Sequence, residues 1–69
     1  MKFKLDDILV MIDDPQRRIQ IVGYDETKYY ITVVAWTSPS VPVGFQTSMH
    51  FDHAESDYRK LTKLERALK

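Results

Sequence analysis

The sequence lacks cysteine altogether, and it has only two glycines and no long hydrophobic run. Without cysteine, no disulfide can stabilise the fold and no thiolate is available for catalysis or metal binding. Two glycines cannot form a glycine-rich loop around a phosphate group. The apolar run at 8–12 is far shorter than the roughly 20 residues of a membrane helix and is flanked by aspartates, so neither a membrane span nor a signal peptide is predicted. We therefore expect a cytoplasmic protein without a membrane partner.

An excess of charge is also missing, because ten acidic residues balance ten basic ones and the formal net charge is zero. Strong non-specific binding to nucleic acid usually requires a basic excess, which this composition does not provide. The charges are nevertheless unevenly distributed, with acid in the first half of the chain. Base dominates the end, at Arg59, Lys60, Lys63, Arg66 and Lys69. This pattern predicts solvated faces or, alternatively, a basic segment that contacts an acidic partner or a phosphate.

The hydrophobic content of 43%, with 12% aromatic residues, is sufficient for a compact core and argues against disorder. A chain of 69 residues forms one small domain, which we place at 1–69. Domains of this size bury only about 60% of the surface that the unfolded chain exposes, so their stability is marginal. Self-association would bury more apolar surface, and a homo-oligomer is therefore one of the partners we expect.

Residues 8–12 predict a short strand, because they are rich in β-branched side chains and end at a turn signal. The turn is expected at Asp14 and Pro15, since proline presets its own φ and the aspartate side chain can cap the turn. A helix is the alternative for the same stretch. Its basis is the helical spacing of the apolar residues Leu5, Ile8, Leu9 and Ile12.

Residues 17–24 and 29–36 predict a β-hairpin with its loop at 25–28. The first segment alternates apolar and polar side chains, which is typical of a half-buried strand. The second is β-branched and aromatic throughout. Gly23 within the first segment predicts a bulge or a close approach of the backbone.

The register of this hairpin follows from the length of its loop. A loop with an odd number of residues, centred on Thr27, places Ile21 opposite Val33 and Ile19 opposite Ala35, which gives one clean apolar face together with Ile31. A shift by one residue would bring Gln20 and Val22 to that face instead, which is a less clean apolar set. The second face would then carry Tyr30, Thr32, Val34 and Trp36.

The second half of the chain predicts a loop, a strand and a helix. Two prolines and a glycine place a long loop at 37–44, and residues 45–51 form the candidate fourth strand. Whether the C-terminal helix begins near His53 or after Leu61 is left open. The helix itself is predicted from the helical spacing of the apolar residues Ala54, Tyr58, Leu61, Leu64 and Leu68. The i,i+4 spacing of Glu55 to Arg59 and of Glu65 to Lys69 would also favour a helix.

The stretch "HFDHAESDY", from His50, concentrates two histidines and three acids. Asp52 is a suitable helix N-cap, and Glu55 three residues later would complete a capping box. The alternative is a metal site, but no single regular element brings both histidines and an acid to one point. We therefore predict a structural role and no metal or other cofactor, while His50 and His53 could make the junction pH-sensitive.

Taken together, these elements predict a mainly β fold of about four to five antiparallel strands with a C-terminal helical or basic segment at about 55–69. The alternative is an α+β fold, in which helices at both ends pack on a hairpin sheet. The stretches "FKLDDILVMIDDPQRRIQIVGYDETKYYITVVAW" and "MHFDHAESDYRKL" resemble a small SH3-like barrel over about 3–61. In that resemblance, a strand, a short helical turn and a last strand close the barrel at Leu61.

The resemblance extends to KOW-type modules of transcription and translation factors and to small-barrel proteins of bacteria and phages. "QIVGY", at 20–24, also resembles a strand of type II dihydrofolate reductase. That enzyme's Val-Gln-Ile-Tyr active-site stretch has no match, because the corresponding residues are Ser48, Met49, His50 and Phe51. The resemblance implies a barrel and does not imply this enzyme activity.

We accordingly predict a non-enzymatic protein–protein interaction module, such as a small regulatory protein of phage or plasmid type. A nucleic-acid or transcription-complex module of KOW type is the alternative. Aromatic residues near the hairpin and the 37–44 loop are the first candidate contacts, since Trp and Tyr are frequent interface hot spots. Packing in the core is the competing role for Trp36. The candidate partner-binding residues are Trp36, Tyr30, Tyr29, Phe45, Arg17, Arg18, Arg59, Lys60 and Lys63.

Overall fold

The computed structural model describes residues 2–61. Within them the elements are β1 (Ile8–Met11), β2 (Arg18–Tyr24), β3 (Lys28–Ala35), β4 (Gln46–His50), α1 (Phe51–Asp57) and β5 (Tyr58–Lys60). The strands of this part of the chain form one antiparallel sheet in the order β4-β3-β2-β1-β5. The prediction of a mainly β fold is confirmed. No pairing between β4 and β5 is present in residues 2–61, so the sheet is open there.

β1 has the strand conformation that its β-branched composition predicts. It pairs with β2 on one side and with β5 on the other. Leu9 and Val10 are both fully buried, so β1 is covered on both of its faces, as is typical of an interior strand. The helical alternative is wrong, and so is the fold with an N-terminal helix. A helix would bury Leu5 and Ile12, yet these side chains are 53% and 50% exposed.

The turn after β1 forms at Asp14, as predicted. The Asp14 carbonyl oxygen accepts a hydrogen bond from the Arg17 amide at 2.9 Å. Its carboxylate Oδ1 accepts another from the Gln16 amide at 3.2 Å. An aspartate that bonds to the backbone two residues later stabilises the reversal of the chain, which here leads directly into β2.

The β2–β3 hairpin forms, but its predicted register is wrong. Ile21 pairs with Ile31 and not with Val33, and Ile19 pairs with Val33 and not with Ala35. The register therefore differs from the predicted one by two residues. A shift of two residues keeps each side chain on its face, because the side chains of a strand alternate with a period of two. The predicted apolar inner face is retained for this reason.

An even-numbered turn and a bulge explain the shift. Tyr24 pairs with Tyr29, which leaves the four residues 25–28 between them, whereas the predicted register requires an odd number. A bulge between Ile21 and Gly23, where the glycine predicts one, moves the pairing by one more residue. A second bulge, at Val34, lies at the far end of the hairpin.

β4 is followed by a short helix and then by a strand. The described helix ends at Asp57 and β5 follows, so Glu55 and Arg59 do not form a helical pair. The N-cap is His50, without a side-chain capping bond among the described residues, and Asp52 lies in the first turn. The predicted capping box is therefore wrong. The predicted continuation of the helix through Leu64 and Leu68 lies outside the described residues.

The core lies between the inner face of the sheet, α1 and the N-terminal segment. Tyr29 is fully buried there, and its ring centroid lies 5.8 Å from that of Phe3 and 4.7 Å from that of Phe51. α1 packs on this core through Ala54, its buried position among the described residues, and through the half-buried Phe51. The remaining members of the core cluster are Leu9, Ile19, Ile21, Ile31, Val33 and Tyr58.

Candidate functional site

The face of the sheet that is turned away from the core, here called the outer face, carries exposed apolar side chains. Val22, Tyr30 and Val34 are 45%, 41% and 37% exposed. Tyr30, Thr32 and Val34 follow one another at alternate positions of β3 and share this face, with Val22 beside Tyr30 in the bulge of β2. These four residues are called the outer patch. Adjacent exposed apolar groups on a sheet face are typical of an interaction surface.

Tyr30 is held in place at one end of the outer patch. A Cβ atom added to Gly23 would lie 3.5 Å from Tyr30 Cδ2, so the ring covers the backbone of the glycine. The Tyr30 hydroxyl donates a hydrogen bond to Asp25 Oδ2 at 2.8 Å. This bond to the carboxylate is the main reason that the pKa of Tyr30 is raised above its usual value. The ring is therefore fixed at both ends before any partner binds.

Asp25 organises the turn that supports Tyr30. Its Oδ1 accepts hydrogen bonds from the amides of Thr27 and Lys28, each at 2.9 Å. The bond from Thr27, followed by that from Tyr30, lowers the pKa of Asp25 to about 2. Hydrogen bonds to the ionised form favour that form, so the charged carboxylate is part of the turn.

We expect this turn to weaken in acid. Because the pKa of Asp25 is lowered on folding, its stabilising effect is fully present above the reference value of 3.8 and is lost as the pH falls through about 2. The amide NMR shifts of Thr27 and Lys28 should titrate with that lower midpoint. Asp25→Asn should abolish the titration, while Glu26→Gln, which removes a charge from the same turn, should leave it in place. A midpoint near 4 would show that the carboxylate does not engage the turn.

Two of the predicted basic residues flank Val10 on the outer face. Val10 pairs with Arg18 of β2 and with Arg59 of β5, so the three side chains form a row across the sheet. Val10 is 0% exposed although no described helix covers this face. Arg18 also lies opposite Ala35, next to the Val34 end of the outer patch.

Trp36 does not lie on the outer face, where strict alternation would place it. The bulge at Val34 reverses the alternation, and Trp36 packs against the inner core as a half-buried side chain. The guanidinium carbon of Arg17 lies 4.7 Å from the centroid of its ring, within the range of a cation–π contact. The structure thus brings together two predicted site residues, Arg17 and Trp36, in a packed arrangement away from the outer patch.

Further contacts of Arg17 explain why this arrangement is ordered. Its Nε lies 3.3 Å from Asp14 Oδ2 and donates a hydrogen bond to Thr37 Oγ1 at 2.7 Å. Thr37 Oγ1 in turn donates to Asp14 Oδ2 at 3.2 Å. These contacts attach the start of the 37–44 loop to the turn before β2.

The other end of the same loop exposes Phe45. The Phe45 carbonyl oxygen accepts a hydrogen bond from the Val33 amide at 2.9 Å, and the Gly44 amide donates to the Val33 carbonyl oxygen at 2.8 Å. Gly44 has a φ of +91°, a conformation that favours glycine. Phe45 is 48% exposed and Val43 is 71% exposed. Phe45 lies opposite the inner-facing Val33, so it forms a surface separate from the outer patch.

Tyr29 presents no surface to a partner, since it is 0% exposed. Its hydroxyl accepts hydrogen bonds from the amides of Lys2 and Phe3, each at 3.0 Å, and donates to Glu55 Oε2 at 2.9 Å. Burial is the main cause that raises the pKa of Tyr29. The pKa of Glu55 is lowered most by the hydrogen bond from the Lys2 amide and next by the hydrogen bond from the Tyr29 hydroxyl. Tyr29 therefore joins the N-terminal segment to α1, while its neighbour Tyr30 is the one on the surface.

The two histidines do not converge on one point. His50 ends β4 opposite Lys28, and His53 Nε2 lies 3.3 Å from Asp57 Oδ2 on the surface of α1. No group of three potential ligand residues within 2–61 is arranged to hold a metal ion. His50 lines a shallow, open depression with Asp52 at the junction of β4 and α1.

The remaining basic candidates are distributed rather than clustered. Lys60 lies on β5, and its Nζ is 3.5 Å from Asp7 Oδ2, which connects β5 to the segment before β1. Lys63 lies outside the described residues. Sequence reasoning missed Val22 as part of the outer patch and Asp25 as its support. The sequence signal for Val22 is Gly23, because the bulge at this glycine places Val22 beside Tyr30.

Comparison with known proteins gives no match to a family model, a curated protein or a solved structure. None of the helical structure in residues 2–61 is long and apolar enough to cross a membrane. The geometry of the described residues is therefore the basis for a functional proposal.

Proposed function

We propose that this protein is a non-enzymatic protein–protein interaction module that binds its partner through the outer patch. The observation that carries the proposal is the combination of exposure and fixation at Tyr30. The ring is 41% exposed, rests on Gly23 and is bonded through its hydroxyl to Asp25. A fixed aromatic side chain loses little conformational entropy on binding, so most of its contact energy contributes to affinity.

The surroundings of Tyr30 suit a partner of mixed character. Val22 and Val34 extend the apolar surface on either side of the ring. Arg18 and Arg59 add positive charge on the same face. We therefore propose a partner that covers the outer patch with apolar side chains and faces Arg18 with a carboxylate. Such charge pairs affect association rate and specificity more than affinity.

The resemblance to an SH3-like barrel remains part of this proposal. Support comes from the element order in the second half of the described chain, where β4, α1 and β5 follow one another and Leu61 is buried directly after β5. The small size of the chain is compatible with an accessory or regulatory protein. The alternative of a KOW-type nucleic-acid module is supported by the occurrence of Tyr30, Arg18 and Arg59 on a single face.

The test is a binding comparison between two exposed tyrosines. A tagged form of the protein is used to capture a partner from cells of its source, and the dissociation constant is then measured with the purified partner. We expect Tyr30→Ala to weaken binding by about 30-fold or more, which corresponds to a hot-spot loss of about 2 kcal/mol. Tyr24→Ala is the matched control, because Tyr24 is also an exposed tyrosine, at 51%. Tyr24 pairs with the inner-facing Tyr29, so it does not share a face with the outer patch.

Two outcomes would contradict the proposal. In the first, Tyr30→Ala and Tyr24→Ala bind the partner equally well, which would move the interface away from the outer patch. In the second, the protein binds single- or double-stranded oligonucleotides with an affinity that falls steeply as salt is raised. That result would favour the KOW-type alternative, because phosphate contacts release counterions.

A further inference from the structure

The free edge of β4 lacks the devices that proteins use to prevent strand pairing. No described strand pairs with this edge, and β4 contains neither a charged aspartate, glutamate, lysine or arginine nor a proline. It pairs with β3 over Gln46–His50 without a bulge. Edge strands are commonly protected by charge, proline, bulges or very short length. β4 has none of these features along the described strand.

The opposite edge of the sheet is protected in the expected way. β5 has only three described residues, and two of them are Arg59 and Lys60. A second strand that approached this edge would have to be short and would meet two positive charges. The contrast within one sheet makes β4 the edge that is available for pairing.

The backbone groups that β4 directs outward can be assigned from its pairing with β3. Phe45 and Phe51, on either side of β4, are hydrogen-bonded to the β3 side, through Val33 and Thr27 respectively. Bonded positions alternate in an antiparallel pair, so Thr47 and Met49 also face β3. The amide and carbonyl groups of Gln46, Ser48 and His50 therefore point away from the sheet.

We infer that β4 pairs antiparallel with β4 of a second copy of this chain, about a two-fold axis at Ser48. In this register Ser48 lies opposite its own copy and Gln46 lies opposite His50, so every outward backbone group meets a partner. The edge is self-complementary because it holds no fixed charge, and the net charge of zero adds no general repulsion between copies. The pairing would join two five-stranded sheets into one continuous sheet and leave both outer patches accessible.

The inference is tested by sedimentation and amide hydrogen exchange of the whole chain from about 10 µM to about 1 mM, where small interfaces associate. We expect a concentration-dependent dimer. Exchange at the amides of Gln46, Ser48 and His50 should slow as the dimer forms. Thr47 and Met49 should be protected at every concentration, because their amides are bonded to β3.

Two substitutions at the axis should prevent the dimer. Ser48→Lys places like charges directly opposite one another and should weaken association by at least about tenfold. Ser48→Pro removes an outward amide that the fold does not use, and proline is tolerated at such edge positions. Ser56→Lys is the matched control, since it adds the same charge on the exposed surface of α1. Circular dichroism and Trp36 fluorescence verify that each variant is folded.

A protein that stays monomeric throughout this range would overturn the inference, and so would a dimer that Ser48→Lys does not weaken. Slow exchange at the three outward amides in the monomer would also overturn it, because the edge would then be covered by the protein's own chain. Failure of this test leaves the proposed partner binding intact, since Tyr30 and β4's free edge are probed by different variants.

Discussion

Tyr29→Ala should lower the free energy of unfolding by about 3–5 kcal/mol, the usual cost of deleting a buried aromatic ring. The side chain is 0% exposed and contacts the rings of Phe3 and Phe51 at centroid distances of 5.8 and 4.7 Å. Small domains are stable by only about 0.05–0.15 kcal/mol per residue, so this loss should leave much of the protein unfolded.

The hydroxyl of Tyr29 should account for a separable part of this effect. In Tyr29→Phe the ring remains, but the amides of Lys2 and Phe3 and the carboxylate of Glu55 lose a hydrogen-bond partner. The Lys2 amide keeps its bond to Glu55 Oε2 at 2.7 Å, whereas the Phe3 amide is left without a described acceptor. An unpaired buried group typically costs about 1–3 kcal/mol. We expect a loss in that range.

Urea unfolding provides the measurement, with fluorescence from Trp36, the one tryptophan of the sequence, as the signal. Tyr24→Ala is the control, because Tyr24 pairs with Tyr29 across the hairpin but is 51% exposed. Its loss should stay below about 1 kcal/mol, as for an exposed position. Equal losses for the two alanine variants would contradict the assignment of Tyr29 to the core.

Leu9→Ala should be the second strongly destabilising change, with a loss of about 2–5 kcal/mol. Leu9 is 0% exposed and belongs to the core cluster, with β2 and β5 on either side of its strand. Truncation would leave a cavity on the inner face of β1. Neighbouring strands cannot close such a cavity without breaking their hydrogen bonds to β1.

Ile12→Ala is the matched control for Leu9, and it also distinguishes the two conformations that the sequence permits. On a helix Leu9 and Ile12 would share the buried face, and both substitutions would be costly. In the strand Ile12 is 50% exposed, so its truncation should cost less than about 1 kcal/mol. Chemical denaturation of the two variants under the same conditions decides between these outcomes. A large loss of unfolding free energy for Ile12→Ala would favour the helical conformation of residues 8–12 instead.

Much of the fold is predictable because its strands have clear local signals. β-branched residues, the alternation in β2 and the turn signal at Asp14 give the positions of the first three strands. The pairing register was not predictable to the residue, because it depends on the parity of the turn and on two bulges. Only one of those bulges, at Gly23, has a sequence signal.

The candidate site was less predictable, for a related reason. Tyr29 and Tyr30 are identical in type and adjacent, so composition cannot tell which one faces the core. Alternation assigns them correctly to opposite faces, but it places Trp36 on the outer face, where it does not lie. The cause is the bulge at Val34, which no glycine in the sequence indicates. The spacing of Asp52 and Glu55 predicts a capping box within one helix. Glu55 bonds instead to Lys2 and Tyr29, and contacts so distant in sequence leave no local pattern.

The position of β1 between β2 and β5 also determines the order in which the chain can fold during synthesis. The ribosome releases β1 before β5, the strand that covers its second edge, which is made some fifty residues later. Glu55, which accepts a hydrogen bond from the Lys2 amide, is separated from it by 53 residues of sequence. Contacts so distant in sequence slow folding, because the intervening chain must be ordered before they form. When the hairpin of β2 and β3 emerges, α1 and β5 have not yet been made, so these elements cannot cover its inner face. Until β5 appears, β1 offers an unpaired apolar edge to other strands and to molecular chaperones.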